Sequence, residues 1–197
     1  IDEVSRDSAA PGGGAVAAAS GSLGVALGTM VANLCISMKG FEDKSDELNR
    51  IAEEGQKIKQ FLVNAIDGDS NAFDKVIKAM RMPNDTDSEK ETRNEKMQEG
   101  YKAATEVPLE ILEYCCRALN VCDYISKLMY DSMASDVGSG AHMCIAGAKA
   151  AAYNVKINLN SINVDDYINH TKTKLNKLLS ECDKKLKIIT DRVEEKL

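Results

Sequence analysis

The 197-residue sequence contains no tryptophan, only three prolines and few aromatic residues, which make up 5% of the chain. It also lacks any strand signal comparable in strength to its helical patterns. Alanine, leucine, lysine, glutamate and methionine are plentiful, and these residues favour helix over sheet. Apolar residues form 44% and charged residues 28% of the sequence, which is typical of a soluble globular chain long enough to bury a core. We therefore predict an all-α fold.

Basic residues are too few for a nucleic-acid-binding surface. The chain has 25 Lys and Arg against 31 Asp and Glu, and its formal net charge is −6. Nonspecific binding to nucleic acid needs an excess of cationic side chains that neutralise phosphates. We expect no nucleic-acid partner, although this composition still allows a local basic site for an acidic ligand.

The six cysteines form no C-x-x-C pair, and two of them, Cys115 and Cys116, are adjacent, which suits a disulfide framework poorly. This usage predicts reduced thiols and a cytoplasmic location. Histidine is also scarce. His142 lies close to Cys144 and His170 stands apart, so neither belongs to a cluster with metal-ligand spacing. We predict no metal site and no cysteine nucleophile.

Charge is absent from residues 8–38, a run long enough to span a bilayer. The run consists mainly of Ala, Gly and Ser, however, and no basic segment precedes it as in a signal peptide. We therefore predict a buried helix that begins after Pro11 and three glycines, and no membrane partner. Small residues on one of its faces would let another small-residue helix, residues 135–159, approach closely. This small-residue stripe consists of Gly21, Gly24, Gly28, Ala32 and Cys35, and it ends at Lys39.

Two further segments have the apolar period of amphipathic helices. Residues 44–82 carry an apolar seam at steps of three and four residues and end at Met82-Pro83-Asn84. Residues 165–197 carry a similar seam that includes Leu175, Cys182 and Ile189.

Between these segments, Thr86 and Glu89 predict a capping box for a helix that runs towards residue 119, with a kink or break at Pro108. A shorter helix is predicted over residues 121–131. The whole pattern predicts one domain, residues 1–197, built as a bundle of long antiparallel helices around a buried Gly/Ala-rich pair.

Asp69 is the most informative polar residue because it interrupts the apolar seam of residues 44–82, between Ile66 and Phe73. A carboxylate on this face is desolvated, so its pKa should rise, as the pKa of a general acid or base requires. Asp67, two residues earlier, falls on the polar face of the helix. A buried aspartate with a purely structural role fits the same pattern, and the two interpretations stay open.

Three consecutive glycines, Gly12, Gly13 and Gly14, would present free backbone N–H groups at a helix N-terminus, which suits an anion or a carbonyl group. They match neither the Walker nor the Rossmann phosphate motif, and a tight helix start explains them equally well. Asn154 and Asn158, four residues apart, could hydrogen-bond a polar heterocycle or a neighbouring helix.

Two charged residues complete the candidate binding groups. Asp136 could contact a ligand or act as the N-cap of the helix that follows it. Lys39, at the end of the small-residue stripe, could meet an anionic ligand or simply be solvated.

Four segments, in this order, resemble the cyclodeaminase domain of formiminotransferase-cyclodeaminase and its relative methenyltetrahydrofolate cyclohydrolase. The resemblance covers nearly the whole chain, and the order and separation of the four segments make it specific. The segments are APGGGAVAAASGSLGVALGTMVANL, IDGDSNAFDKVIKAMRMP, EVPLEILE and SDVGSGAHMCIAGAKAAAYNVKINL.

This resemblance implies a helical homodimer that converts formiminotetrahydrofolate to methenyltetrahydrofolate and releases ammonia, without a cofactor. The catalytic role falls on the second aspartate of the D-x-D stretch, which is Asp69 here. The folate substrate is polyglutamylated in some cases, and a formiminotransferase domain or protein is an expected partner. The chain departs from the family at Ala15, where serine is common, and near Lys39, which alone remains of a basic run.

Two alternatives to a cyclodeaminase stay open: an enzyme with a different reaction, and a protein that is not an enzyme. A cyclohydrolase would share the fold and the folate pocket but add water to methenyltetrahydrofolate. A noncatalytic helical binding or assembly module would suit the apolar seams, but it would not bind folate and would leave Asp69 unexplained.

Overall fold

The computed structural model describes residues 1–8 and 10–197, apart from the side chain of Ser70. Within these residues the chain forms five long α-helices and no strand, which confirms the predicted all-α class. Three short 3-10 turns, Asp2–Ser5, Glu42–Lys44 and Asp131–Met133, accompany them. The helices are α1 (Gly13–Ile36), α2 (Ser45–Met80), α3 (Asp87–Ser126), α4 (Ala134–Leu159) and α5 (Asp165–Glu194).

Successive helices run antiparallel, so α1, α3 and α5 point one way while α2 and α4 point the other. Helix α1 packs against α2, α3 and α4, whereas α5 packs against α3 and α4. The core between them consists of aliphatic side chains and alanines, with Leu62, Ile111 and Leu119 among the largest buried residues. This arrangement places the start of α1 beside the last third of α2 and the end of α4.

Helices α1 and α4 touch backbone to backbone, as the small-residue stripe predicts. A Cβ atom on Gly24 would lie 2.5 Å from the carbonyl oxygen of Gly140, and one on Gly147 would lie 2.7 Å from that of Ala17. Only residues without a side chain allow two helices to approach this closely. The thiol of Cys144 packs against the same glycine surface and is completely buried.

One side of α1 remains outside the core, contrary to the expectation of a helix buried all round. Its outer stripe, defined as Val16, Leu23, Met30 and Leu34, is exposed, with Leu23 at 58%. No other helix of the bundle covers this side, because α2 and α4 flank α1. By length and hydropathy α1 is the one helix in the described residues that could cross a membrane, although most of its apolar window is buried inside the bundle.

Helix α2 follows the predicted boundaries closely, but two residues of its apolar seam near its end lie outside the core. Phe73 and Met80 are exposed, whereas Ile58 and Leu62 are fully buried. The last turns of α2 extend beyond the start of α1 and bury the face that meets α3, where Val76 is fully buried beside Gly100.

Helix α3 is one continuous helix, so the predicted break at Pro108 and the separate helix over 121–131 are both wrong. Pro108 lies inside the helix, and the buried face continues past it through Val121 and Ile125. Packing against α1, α2 and α4 therefore outweighs the local effect of the proline. The predicted capping box is confirmed, since the Thr86 hydroxyl accepts a hydrogen bond from the N–H of Glu89 and the Glu89 carboxylate accepts one from the N–H of Thr86.

The prediction that all cysteines are reduced is wrong for one pair, because Cys116 in α3 and Cys182 in α5 form a disulfide. The adjacency of Cys115 and Cys116 was misleading, since neighbouring helical residues point about 100° apart. Cys115 therefore faces α1 while its neighbour faces α5. Four free thiols remain, all of them buried: Cys35, Cys115, Cys122 and Cys144.

Candidate active site

Asp69 lies on α2 where α1 begins, so its carboxylate reaches the N-terminal turn of the small-residue helix. The carboxylate lies over the backbone of Gly14 and accepts a hydrogen bond from the N–H of Ala15. A helix N-terminus has unpaired N–H groups and a positive dipole end, both of which favour a negative charge.

Burial nevertheless raises the pKa of the Asp69 carboxyl above its usual value, and the Ala15 hydrogen bond opposes this rise only in part. The pKa of Asp69 is thus raised by partial burial, as expected for a carboxyl group that takes part in proton transfer. This environment agrees with the one that its position in the apolar seam predicts. The catalytic role of Asp69 stays a prediction.

A cavity of about 300 Å³ opens in front of Asp69. Its size is at the lower end of the range for small-molecule sites. It brings together five of the residues predicted from the sequence, which come from three separate segments: Gly12, Gly13, Asp69, Asn154 and Asn158.

The two asparagines form one wall of the cavity, and each has its amide nitrogen on a backbone carbonyl. Nδ2 of Asn158 donates to the carbonyl oxygen of Ala104 in α3 at 2.6 Å. Asn158 therefore hydrogen-bonds a neighbouring helix, which is one of the two roles that the sequence allows. Nδ2 of Asn154 donates to the Ala150 carbonyl oxygen at 2.9 Å within α4. These bonds fix the orientation of both amides at the cavity wall.

Gly14, Lys39 and Asp136 do not line this cavity. Lys39 follows the far end of α1, a helix of 24 residues, which at 1.5 Å per residue is about 36 Å long. Asp136 lies in the first turn of α4, at the same far end of the bundle. The N-cap of α4 is Met133, so the alternative role of Asp136 as N-cap is wrong.

Four residues of the cavity were not predicted as site residues: Ala10, Phe73, Ala104 and Ile157. Helical spacing could have identified two of them, since Phe73 is four residues from Asp69 and Ile157 is three from Asn154. Both have exposed side chains, 39% and 63%, at the mouth of the cavity. Ala104 could not have been found, because its position depends on the pairing of α3 with α4.

Among the described residues, no group of three or more His, Cys, Asp or Glu side chains is arranged to hold a metal ion. The chemical groups of the cavity are a carboxylate, two carboxamides, and the backbone N–H groups at the start of α1. Such a set can bind a polar heterocycle and move a proton.

The fold and the site place the protein in the class of all-α bundles that have a partly buried carboxylate at a small polar cavity. Comparison with known proteins defines the family, because the family model described as formiminotransferase-cyclodeaminase matches residues 1–177. The chain belongs to this family.

Individual relatives have two different names. A methenyltetrahydrofolate cyclohydrolase of Methylorubrum extorquens is 31% identical over 197 residues, which cover all of this chain and 95% of that protein. Formimidoyltransferase-cyclodeaminases of Gallus gallus and Sus scrofa are 35% and 30% identical over 92% and 98% of this chain. The chain spans only 34% and 36% of the length of these two animal relatives.

A solved structure supports the same family. The crystal structure of formiminotetrahydrofolate cyclodeaminase from Thermotoga maritima has a TM-score of 0.88 to this chain and 26% sequence identity. The match covers 98% of this chain and 93% of the Thermotoga protein. Together, the relatives indicate a folate-related cyclodeaminase or cyclohydrolase activity.

Proposed function

We propose that the chain is a formiminotetrahydrofolate cyclodeaminase, which forms methenyltetrahydrofolate and ammonia, and that Asp69 transfers the proton. The observation that carries this proposal is the position of the Asp69 carboxylate, which has a raised pKa and lies at a cavity lined by carboxamides and helix N-terminal glycines. The Thermotoga relative, which is matched over nearly its whole length, has the name of this activity.

In the proposed reaction, N10 of the substrate attacks the formimino carbon that is attached to N5. A new N10–C bond closes a five-membered ring, and the C–N bond to the departing amine breaks. The formimino group reacts in its protonated form, so its nitrogen carries two protons after the attack. Asp69 takes the proton from N10 and transfers it to this nitrogen, which departs as ammonia and leaves the cationic methenyl product. Because both nitrogens belong to one molecule, the enzyme has mainly to hold them in orientation.

The other cavity residues would hold the substrate. The amides of Asn154 and Asn158 suit the donors and acceptors of a pterin ring, and the N–H groups near Gly12 and Gly13 suit a carbonyl oxygen. The cavity is the size of a heterocycle, so the glutamate tail would extend outside it, past Phe73 and Ile157. No cofactor is needed for this chemistry.

A cyclohydrolase is the second candidate, and one observation favours it. The Methylorubrum relative with that name is 31% identical to this chain, compared with 26% for the Thermotoga cyclodeaminase, and both are matched over nearly their whole length. In this reaction water attacks the methenyl carbon and Asp69 takes a proton from the water. A ring C–N bond then breaks to give the formyl product, the freed nitrogen takes up one of the two water protons, and the other is released.

A second copy of the chain is the partner that we propose for the outer stripe of α1. Helix α4 has exposed apolar side chains of its own, Tyr153 and Ile157, and exposed apolar surfaces commonly mark interfaces. Leu23→Glu should then give a monomer in analytical ultracentrifugation. A formiminotransferase domain or protein is a further proposed partner, because the matched animal relatives are formimidoyltransferase-cyclodeaminases. The Cys116–Cys182 disulfide removes the argument from reduced thiols for a cytoplasmic location.

The decisive experiment supplies the purified protein with each substrate separately. Matched formation of methenyltetrahydrofolate and ammonia from the formimino substrate would support the cyclodeaminase. Consumption of methenyltetrahydrofolate alone would support the cyclohydrolase, and folate binding without either reaction would contradict both. Asp69→Asn should abolish the activity found, and Asp67→Asn, on the exposed face of α2, is its matched control.

A further inference from the structure

The backbone of Gly14 and the carboxylate of Asp69 occupy adjoining space with nothing between them. Gly14 is buried in the first turn of α1. A Cβ atom built on Gly14 would overlap with three atoms of the Asp69 side chain, Oδ1, Cγ and Oδ2. The carboxylate therefore lies where a side chain at position 14 would be.

We propose that Gly14 is a positioning residue, whose missing side chain lets the Asp69 carboxylate rest on the N-terminal turn of α1. This inference rests on the proposed catalytic function of Asp69. It replaces the expectation that Gly14 binds substrate, since Gly14 does not line the cavity.

The requirement for glycine is specific to position 14. A Cβ on the neighbouring Gly13 would meet Nδ2 of Asn154 at 3.1 Å, on the opposite wall of the cavity. A Cβ on Gly68, the residue before Asp69, would meet nothing within 4 Å. Three glycines near the same carboxylate therefore differ in what they touch, and only Gly14 faces Asp69.

A methyl group at position 14 would displace the carboxylate more easily than it would disrupt the fold. The overlapping atoms are the end of one short side chain, which can rotate towards the cavity. In addition, alanine is a better helix former than glycine by about 1 kcal/mol. The rotated carboxylate would lose the hydrogen bond from the Ala15 N–H and become more hydrated, while the helices stay in place.

The test compares Gly14→Ala with Gly68→Ala, a matched glycine-to-alanine change on the partner helix. We expect Gly14→Ala to reduce kcat about 100-fold, the usual result of misplacing a catalytic group by about 1 Å. Its KM should change by less than about threefold, because the asparagines and the helix N-terminal N–H groups that would hold the substrate stay in place. Gly68→Ala should keep the kcat and KM of the unmodified protein. Equal kcat for Gly14→Ala and the unmodified protein would overturn the proposal.

A second measurement does not depend on activity. Carbon-13 NMR of the Asp69 carboxyl, assigned by its loss in Asp69→Asn, reports the titration of this group alone. Because burial is the larger cause of its raised pKa, movement into the solvent in Gly14→Ala should lower the titration midpoint towards the ordinary aspartate value. An unchanged midpoint would overturn the positioning role.

These readouts separate the two proposals. If the midpoint moves but neither folate substrate reacts with the unmodified protein, the proposed function fails and the positioning of the carboxylate stands. If Gly14→Ala does not fold, the double variant Gly14→Ala/Asp69→Ala must fold, because it removes the overlapping carboxylate. Failure of that double variant would show that the methyl group clashes elsewhere and would overturn the proposal.

Discussion

The side-chain amide of Asn158 donates a hydrogen bond to the one backbone carbonyl that Pro108 leaves without its helical partner. In an α-helix the N–H of residue 108 would bond the carbonyl of Ala104, but proline has no N–H. Nδ2 of Asn158 lies 2.6 Å from that carbonyl oxygen. This bond explains how α3 continues through a proline, and it places Asn158 at the wall of the candidate site.

We predict that Asn158→Leu costs about 1–3 kcal/mol of unfolding free energy, because it leaves the carbonyl of a buried residue, Ala104, unsatisfied. Pro108→Ala restores the missing N–H, so Asn158→Leu should cost much less in the Pro108→Ala background. Urea unfolding of the two single variants and the double variant measures this coupling. Additive effects would contradict it.

Asp69→Asn should raise the thermal stability at neutral pH while it removes activity. The folded-state pKa of Asp69 is raised, so folding penalises its charged form. This penalty is absent below the unfolded-state pKa and fully present above the raised folded-state pKa. The difference in Tm between Asp69→Asn and the unmodified protein should therefore disappear as the pH falls through this range. A difference that grows on acidification would have the wrong sign for a raised pKa.

Gly24→Ala should destabilise the bundle by about 1–3 kcal/mol, since its methyl group would press on the backbone of α4. A backbone atom cannot rotate away as a side chain can. Chemical denaturation measures the loss, and Gly68→Ala is again the control, because it meets open space and should be neutral or slightly stabilising. Equal stability of the two variants would contradict the close approach of α1 and α4.

Thr86→Ala should cost about 1 kcal/mol because it removes the side-chain cap of α3. The exposed Thr92→Ala, in the second turn of α3, is the control and should change stability by less than about 0.5 kcal/mol.

Hydrogen bonds from Thr86 lower the pKa of Glu89. The contribution of Glu89 is therefore present above its unfolded-state pKa and is lost as the pH falls through its lowered folded-state pKa. Thermal melts of Glu89→Gln and the unmodified protein should converge in acid.

Disruption of the Cys116–Cys182 disulfide should lower the free energy of unfolding while α5 stays packed against α3 and α4. The bond closes a loop with a sequence separation of 66 residues, for which the chain-entropy account gives about 4 kcal/mol. Titration of the denatured protein should find four thiols before reduction and six after it. Cys182→Ala should make the unfolding midpoint insensitive to reductant. Six thiols in the unreduced protein would contradict the bond.

Local periodicity was enough to predict much of the architecture. The apolar spacing of three and four residues identified α2 and α5, and the small-residue stripe predicted that α1 and α4 pack closely. Both patterns can be recognised because each depends only on residues within a single helix. The same reasoning selected Asp69, since a charged residue on an apolar face stands out before its neighbours are known.

Only the tertiary structure decided which residues meet. In the folded chain the Asn158 amide of α4 satisfies the carbonyl that Pro108 leaves free, so α3 continues as one helix. Cys116 bonds to Cys182, and the Asp69 carboxylate lies on the backbone of Gly14. The tertiary structure also placed Lys39 and Asp136 at the far end of the bundle from the cavity. Periodicity defines the direction in which a side chain leaves its own helix, whereas the partner it meets depends on helix pairing and register, which are set by packing across the whole chain.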